Sequence, residues 1–446
     1  MRVLLIATNR HHRLMSRMDA RPLPIGLAYV AGHLDQDRHS LKVLDLMFSD
    51  DYIADVEDTV KEFQPEMVGI SIRNLGNHSY IDPQWALPTS KEVIDKVRSL
   101  SPAKIVVGGP AFNFLPKECF AYMGPDLGIA GDGGETFAEL ADLLDSNSSY
   151  GHLSGLVYRE NGEVVFNGVR AKSGFNKPPR LEDLDMEKYT KAGFGIGVLT
   201  KLGDFSYPTP DSNGQVKEPD WRVIRPIDEV VSEVKEMEEK FGLRKVFFID
   251  NGFNIPLDHA KALCHAFLEA DLKLNWNTCL APFSCDAEIV GLMKQSGCAL
   301  VIMGGIRGDL HDGETLGERL EPLRQVCAMC EEGGLHYTIA QSFGEVGETE
   351  QTVADKLAFL HSIKPAMANL RIGSPVLPGS PLVATAIKEG LISDESDLIR
   401  PTIYVEENVR DWIVDYMKEE AAKNPRLNRG GQVMPKIVPD RETATL

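Results

Sequence analysis

Two successive series of alternating strand and helix patterns constrain this chain more than any other feature. In the first series, short apolar runs predict strands over 2–7, 41–46, 67–72, 104–107 and 127–130. Amphipathic stretches between them predict helices over 25–35, 51–63, 90–100 and 135–144. Such alternation builds a mostly parallel sheet covered on both faces, with ligands at the carboxyl ends of its strands. The segment 146–190 breaks the pattern. Strand signals at 155–158 and 163–167 flank Asn161-Gly162, a hairpin turn, and a polar, proline-punctuated linker follows. The second series predicts strands over 195–199, 245–249, 272–276, 299–303, 336–340 and 369–372. Helices over 227–241, 257–270, 286–296, 316–332 and 349–363 separate them, which implies a partial (β/α)6 barrel. The tail is irregular from about Pro375 and then helical over 407–423. The expected class is therefore α/β: a Rossmann-like domain at 1–148, a hairpin and linker at 149–190, a partial barrel at 191–375 and a helical extension at 376–446.

Composition excludes several classes of function. The chain carries 66 acidic and 47 basic side chains among 446 residues, a net charge of −19, which argues against a nucleic-acid footprint. The apolar run at the N-terminus is too short for a signal peptide, and no stretch approaches a transmembrane span, so a cytoplasmic protein is expected. The seven cysteines, Cys119, Cys264, Cys279, Cys285, Cys298, Cys327 and Cys330, are odd in number and scattered, unlike a disulfide framework. Cys327 and Cys330 have metal-like spacing but lie in a helical run, where two small core residues one turn apart are the better explanation.

Glycine-bearing segments mark the strand ends of the first series: Gly69 with Ser71, Arg73 and Asn74; Gly108-Gly109-Pro110; Gly131, Gly133, Gly134 and Glu135; and Gly26 at the first helix. Glycines there allow close backbone approach to a ligand, and helix N-termini receive anionic groups. Ordinary strand-end turns would read the same way. None fits the dinucleotide fingerprint, because Thr8-Asn9-Arg10 follows the first strand.

These segments, in this order, resemble the cobalamin (B12)-binding domain found ahead of radical S-adenosylmethionine (SAM) domains. The downstream half resembles the same family at Thr200-Lys201, Tyr207-Pro208, Trp221-Arg222, Asp250, Phe253-Asn254, Phe343-Gly344, Gly347-Glu348-Thr349, Leu377-Pro378-Gly379 and Glu389-Gly390-Leu391. The similarity spans most of residues 1–405 and is nearest the subgroup containing tryptophan 2-C-methyltransferase. It implies cobalamin as cofactor, SAM as a further candidate ligand and a methyltransferase-type activity. By the same resemblance, Ser71, Arg73, Asn74, Gly108, Gly109, Pro110, Gly131, Gly133, Gly134 and Glu135 would hold cobalamin. The usual lower-ligand motif D-x-H-x-x-G is absent, since neither His39 nor His78 has its spacing. Arg73 would then face the lower side of the corrin, or bind a phosphate, an amide or a carboxylate.

One departure is decisive. The family holds a [4Fe–4S] cluster with C-x-x-x-C-x-x-C after the first barrel strand, and this chain has no cysteine between Cys119 and Cys264. Aligned on Thr200-Lys201, the thiolate positions are Asp204, Pro208 and Asp211; aligned on Tyr207-Pro208, the loop is shortened. A conventional cluster is not expected, and no metal ligands are assigned. In the barrel, Asp250, Asn254, Gly304, Arg307, Gln341 and Glu345 are expected to face the cavity. Glu345, where the family has glycine, could bind a cationic substrate or act as a base, or it could be solvated. His259 is expected to pack or cap. The sequence thus supports a cobalamin-binding, methyltransferase-type protein acting on an unidentified small molecule. A non-catalytic carrier, sensor or accessory protein with a degenerate barrel, and a barrel repurposed for a ligand other than SAM, stay open. Oligomeric state is not specified.

Overall fold

The structure, a computed structural model, describes residues 1–9, 21–168, 177–191, 195–204, 220–305, 315–424 and 426–427. In the N-terminal sheet, β1 (Arg2–Ala7), β2 (Ser40–Asp45), β3 (Met67–Ser71), β4 (Lys104–Gly108) and β5 (Leu127–Ile129) are parallel. β6 (Leu156–Glu160) and β7 (Glu163–Phe166) extend it antiparallel, giving the order β2-β1-β3-β4-β5-β6-β7. The predicted hairpin is thus continuous with the first sheet rather than a free linker. β1, β3 and β4 read as unbroken apolar runs because both of their faces are covered. Chain direction across the sheet reverses between β1 and β3, the switch point where ligands of such sheets gather.

The second sheet contains six parallel strands: β8 (Ile196–Val198), β11 (Lys245–Phe248), β12 (Asn275–Leu280), β13 (Cys298–Gly304), β14 (His336–Phe343) and β15 (Met367–Ile372). They lie in sequence order, with helices between successive strands from β8 to β15, as an open barrel requires. One predicted strand is displaced. The apolar Leu272 and Leu274 suggested 272–276, whereas β12 begins at Asn275 and alternates polar and apolar residues. Between β8 and β11 the chain forms an antiparallel pair, β9 (Lys201–Asp204) with β10 (Asp220–Ile224). Pro208, Asp211 and Arg307 lie outside the described residues, as does the Asp204 side chain.

The C-terminal extension ties the domains together. Val376, Ala386, Ile392, Leu398 and Tyr404 enter the core of the N-terminal sheet, whereas Val409, Ile413 and Met417 return to the barrel core. The predicted 407–423 helix is two helices, Glu407–Arg410 and Ile413–Lys423. On the way the extension pins the loop after β3. Trp85 donates its indole N–H to the Ile399 carbonyl at 2.7 Å, and the Arg400 guanidinium lies 4.8 Å from the Trp85 ring. Any side chain at Gly76 would collide with Pro401. That loop carries Arg73, Asn74 and His78, so its position is set by both ends of the chain.

Candidate active site

A cleft of about 410 Å³ opens at the carboxyl ends of β1, β3, β4 and β5. Ser71, Gly108, Gly109, Pro110, Gly131 and Gly133, from the glycine-bearing strand ends, line it. Its inner wall is apolar, with Leu5, Val106, Ile129 and Phe137, and Leu27 and Val30 of the helix Ile25–His33 close one side. Two glycines show why side chains are excluded. Gly109 has φ +106°, and a Cβ there would sit 2.6 Å from the Ile72 carbonyl oxygen. Gly26 also lines the cleft, with nothing within 4 Å of its Cβ position, so a side chain there would stand in open space. Gly134 serves packing: its Cβ would meet the His33 ring at 2.7 Å, where two helices approach closely. Arg73, Asn74 and Glu135 stand outside the lining itself.

Asn113 was not singled out in the sequence. Its side chain accepts from Gly131 N–H at 2.8 Å and so fixes the turn, which has φ +94° at Gly131. No local motif marks it, because the partner is 18 residues away. His39 sits at the amino end of β2, 3.0 Å from Asp142, at the opposite end of the strands from the cleft.

Arg73 is accessible to solvent, and desolvation by the protein around it lowers its guanidinium pKa. Tyr189 lies close to it and is held by a hydrogen bond to Asp45 at the end of β2. The wall helix is anchored to the barrel by a buried network. Arg225 pairs with Glu233 at 2.5 Å and donates to Tyr29 Oη at 3.3 Å and to the Leu199 carbonyl at 3.2 Å.

At the barrel's carboxyl end the predicted polar residues are mostly occupied by the scaffold. Asp250 accepts from Thr200 N–H at 3.1 Å and Thr200 Oγ1 at 2.6 Å. Burial raises its carboxyl pKa, opposed by the nearby Lys201 ammonium and the Thr200 bonds. Lys201 is 2% exposed and donates to the Phe253 carbonyl at 2.9 Å; burial lowers its pKa to about 8. His259 is pushed to about 4, by burial and then by Lys201. Asn254, fully buried, accepts from Ala281 N–H and donates to the Ala281 carbonyl, each at 2.8 Å. Glu345 is 7% exposed and accepts from the fully buried Lys356 at 3.2 Å, beside a second pair between Lys356 and Glu348 at 2.9 Å. Register pairs Gln341 with Leu370, which is buried in the barrel core, so Gln341 lies on the helix-covered face of the sheet. Gly304 pairs with Ala340 on the concave face.

All seven cysteines are described, and among the described residues no group of three or more His, Cys, Asp or Glu could hold a metal ion. Cys119, Cys264, Cys298, Cys327 and Cys330 are buried. Burial raises every thiol pKa, to about 11 at Cys279 and about 12 at Cys285. Among the described residues no helix is long and apolar enough to cross a membrane.

Comparison with known proteins agrees with this geometry. Residues 15–141 match the B12 binding domain family. The chain is 24% identical over 413 residues to an uncharacterized methyltransferase of Pyrococcus horikoshii, covering 88% of this chain and 84% of the relative. It is 25% identical over 431 residues to tryptophan 2-C-methyltransferase of Streptomyces laurentii, covering 80% and 70%. Among solved structures, the radical SAM methyltransferase TsrM of Kitasatospora setae, with tryptophan and a SAM analogue bound, superposes with TM-score 0.79. That match has 20% identity and covers 96% of this chain and 90% of TsrM. A second TsrM structure, with cobalamin and a [4Fe–4S] cluster bound, gives 0.76 at 19% identity, covering 92% and 84%. The cobalamin-dependent SAM radical enzyme OxsB gives 0.68 at 16% identity, covering 95% of this chain and 69% of OxsB. The chain thus carries a B12 binding domain at residues 15–141 and shares its overall fold with TsrM and OxsB.

Proposed function

We propose that the protein is a cobalamin-dependent, methyltransferase-type enzyme that acts on a small molecule without a standard [4Fe–4S] cluster. The observation that carries this reading is the glycine-lined, apolar-walled cleft at the switch point of the N-terminal sheet, which faces the barrel. Its residues suit cobalamin. The backbones of Ser71, Gly108, Gly109, Pro110, Gly131 and Gly133 offer polar groups at the mouth, and the wall of Leu5, Val106 and Phe137 offers an apolar slot. Cobalamin, when bound, supplies a cobalt centre able to accept and donate a methyl group.

The chain's own residues have distinct tasks in this reading. Arg73, on the pinned loop after β3, would bring a cation near the bound cofactor, and neither His39 nor His78 has D-x-H-x-x-G spacing. Asn74, Gly134 and Glu135 lie outside the cleft's lining, and Gly134 serves helix packing against His33. Asp250 and Asn254 shape the barrel's end by fixing Thr200 and the 281–284 turn. Glu345 acts as a structural partner of Lys356 rather than as a free base. SAM is the proposed methyl donor and would lie between the barrel's concave face and the cleft. The acidic balance fits a small-molecule substrate rather than nucleic acid, and a cytoplasmic setting is proposed with it.

A second reading, a non-catalytic cobalamin binder, is favoured by one observation: Asp250, Asn254 and Glu345 are all occupied within the scaffold. Protein reconstituted anaerobically with hydroxocobalamin and given a reductant and methyl-labelled SAM separates the two. Label recovered on the corrinoid supports the enzyme. Tight corrinoid binding with no SAM affinity supports the binder, and no corrinoid binding overturns both.

A further inference from the structure

Strand register divides the barrel sheet into a helix-covered face and a concave face. On β15, Ala368, Leu370 and Ile372 are buried in the core beneath the helices, so Arg371 projects to the opposite, concave side. There it pairs in register with Ser342. Its charge also reaches Cys279 on β12 and His78 on the pinned loop after β3, so it stands where the barrel meets the cobalamin-binding domain.

Arg371 differs from the buried cations of the barrel. Lys356 has two carboxylates, Arg225 has Glu233 and two further acceptors, and Lys201 has a carbonyl. Among the described residues, no hydrogen bond or ion pair is made to the Arg371 side chain. It is accessible to solvent on that concave side, and desolvation by the surrounding protein lowers its pKa. A guanidinium partly stripped of water is costly unless an anion satisfies it. Its planar fork matches a carboxylate bidentately, which neither a lysine nor a neutral donor does.

We propose that Arg371 is the anion anchor of the inter-domain chamber and binds the carboxylate of a small molecule held between the concave face and the cobalamin cleft. This rests on the functional reading above and narrows its ligand to a carboxylic acid. Two sources carry that group: the methionine moiety of SAM and an amino-acid-like methyl acceptor.

Phenylglyoxal modification read by peptide mass spectrometry tests the proposal, on protein with and without bound hydroxocobalamin. The probes are SAM against decarboxylated SAM, and L-tryptophan, L-phenylalanine and L-leucine against tryptamine, phenethylamine and isoamylamine. Modification of Arg371 is expected to slow about tenfold with an acid and not with its decarboxylated partner. Protection by SAM alone assigns the donor, and protection by an amino acid assigns the acceptor. In Arg371→Met the protecting acid should bind about tenfold more weakly, while its decarboxylated partner binds unchanged. Equal protection by acids and amines, or none by any acid, overturns the proposal. Failure of the corrinoid spectrum, recorded separately, overturns the functional reading and leaves the Arg371 result to stand or fall by itself.

Discussion

The carboxyl ends of the two sheets treat polarity in opposite ways. In the N-terminal domain, glycines and backbone groups surround a cleft whose walls are apolar and whose space is left open. In the barrel, the corresponding ends are filled with buried charges and amides bonded to one another: Asp250 to Thr200, Lys201 to Phe253, Asn254 to Ala281 and Glu345 to Lys356. A site that receives a large cofactor needs room and backbone donors. The barrel end instead keeps its loops in place with internal polar contacts, and leaves Arg371 exposed on the concave side.

The strongest test of this contrast is Lys356→Met, which would leave Glu345 and Glu348 as unpaired buried carboxylates. Stability should fall by about 3–5 kcal/mol in denaturant unfolding. A loss below about 1 kcal/mol would show that the barrel's charges are not the internal scaffold described. Next, Gly26→Trp fills open space in the cleft rather than colliding with protein. Corrinoid affinity should fall by roughly 100-fold, about 2.7 kcal/mol, with an unchanged melting temperature. Unchanged affinity would place the cofactor elsewhere. Asn254→Ala strands the Ala281 amide and should cost about 1–3 kcal/mol by the same unfolding assay.

The smallest effect is a pH dependence. Lys201 titrates near 8 when folded, against an ordinary value of 10.5, so between these values the unfolded chain binds more protons. Stability relative to Lys201→Met should therefore rise with pH across that window, by roughly 1–2 kcal/mol after allowing for relaxation around the site. A flat difference would mean that Lys201 is solvated. Above pH 10, Tyr29 and Tyr189, both held above their ordinary pKa by burial, oppose the trend in both proteins.

Much of the fold was legible because strands and helices alternate with strong periodicity. Arg2–Ala7 and Leu316–Glu332 have the bounds that the sequence predicted. The helix Pro116–Met123 went unrecognised, being short and opened by a proline. The cleft was legible through its glycines, whose chemistry is local. Face assignment in the barrel was not, since it depends on register between strands far apart in the chain. Gln341 looked ligand-facing until its pairing with Leu370 was known, and Arg371 lay unremarked in a correctly predicted strand. Likewise Glu345 looked free, because its partner Lys356 projects inward from a helix 11 residues later. That the chain has no C-x-x-x-C-x-x-C is a fact of the sequence alone and needs no geometry.

The most direct test is anaerobic reconstitution of the full chain with hydroxocobalamin, iron and sulfide, followed by absorption spectra and metal analysis. A stoichiometric corrinoid with no iron–sulfur signal is the predicted result. A stoichiometric [4Fe–4S] spectrum, or protein that takes up no corrinoid, would contradict the account.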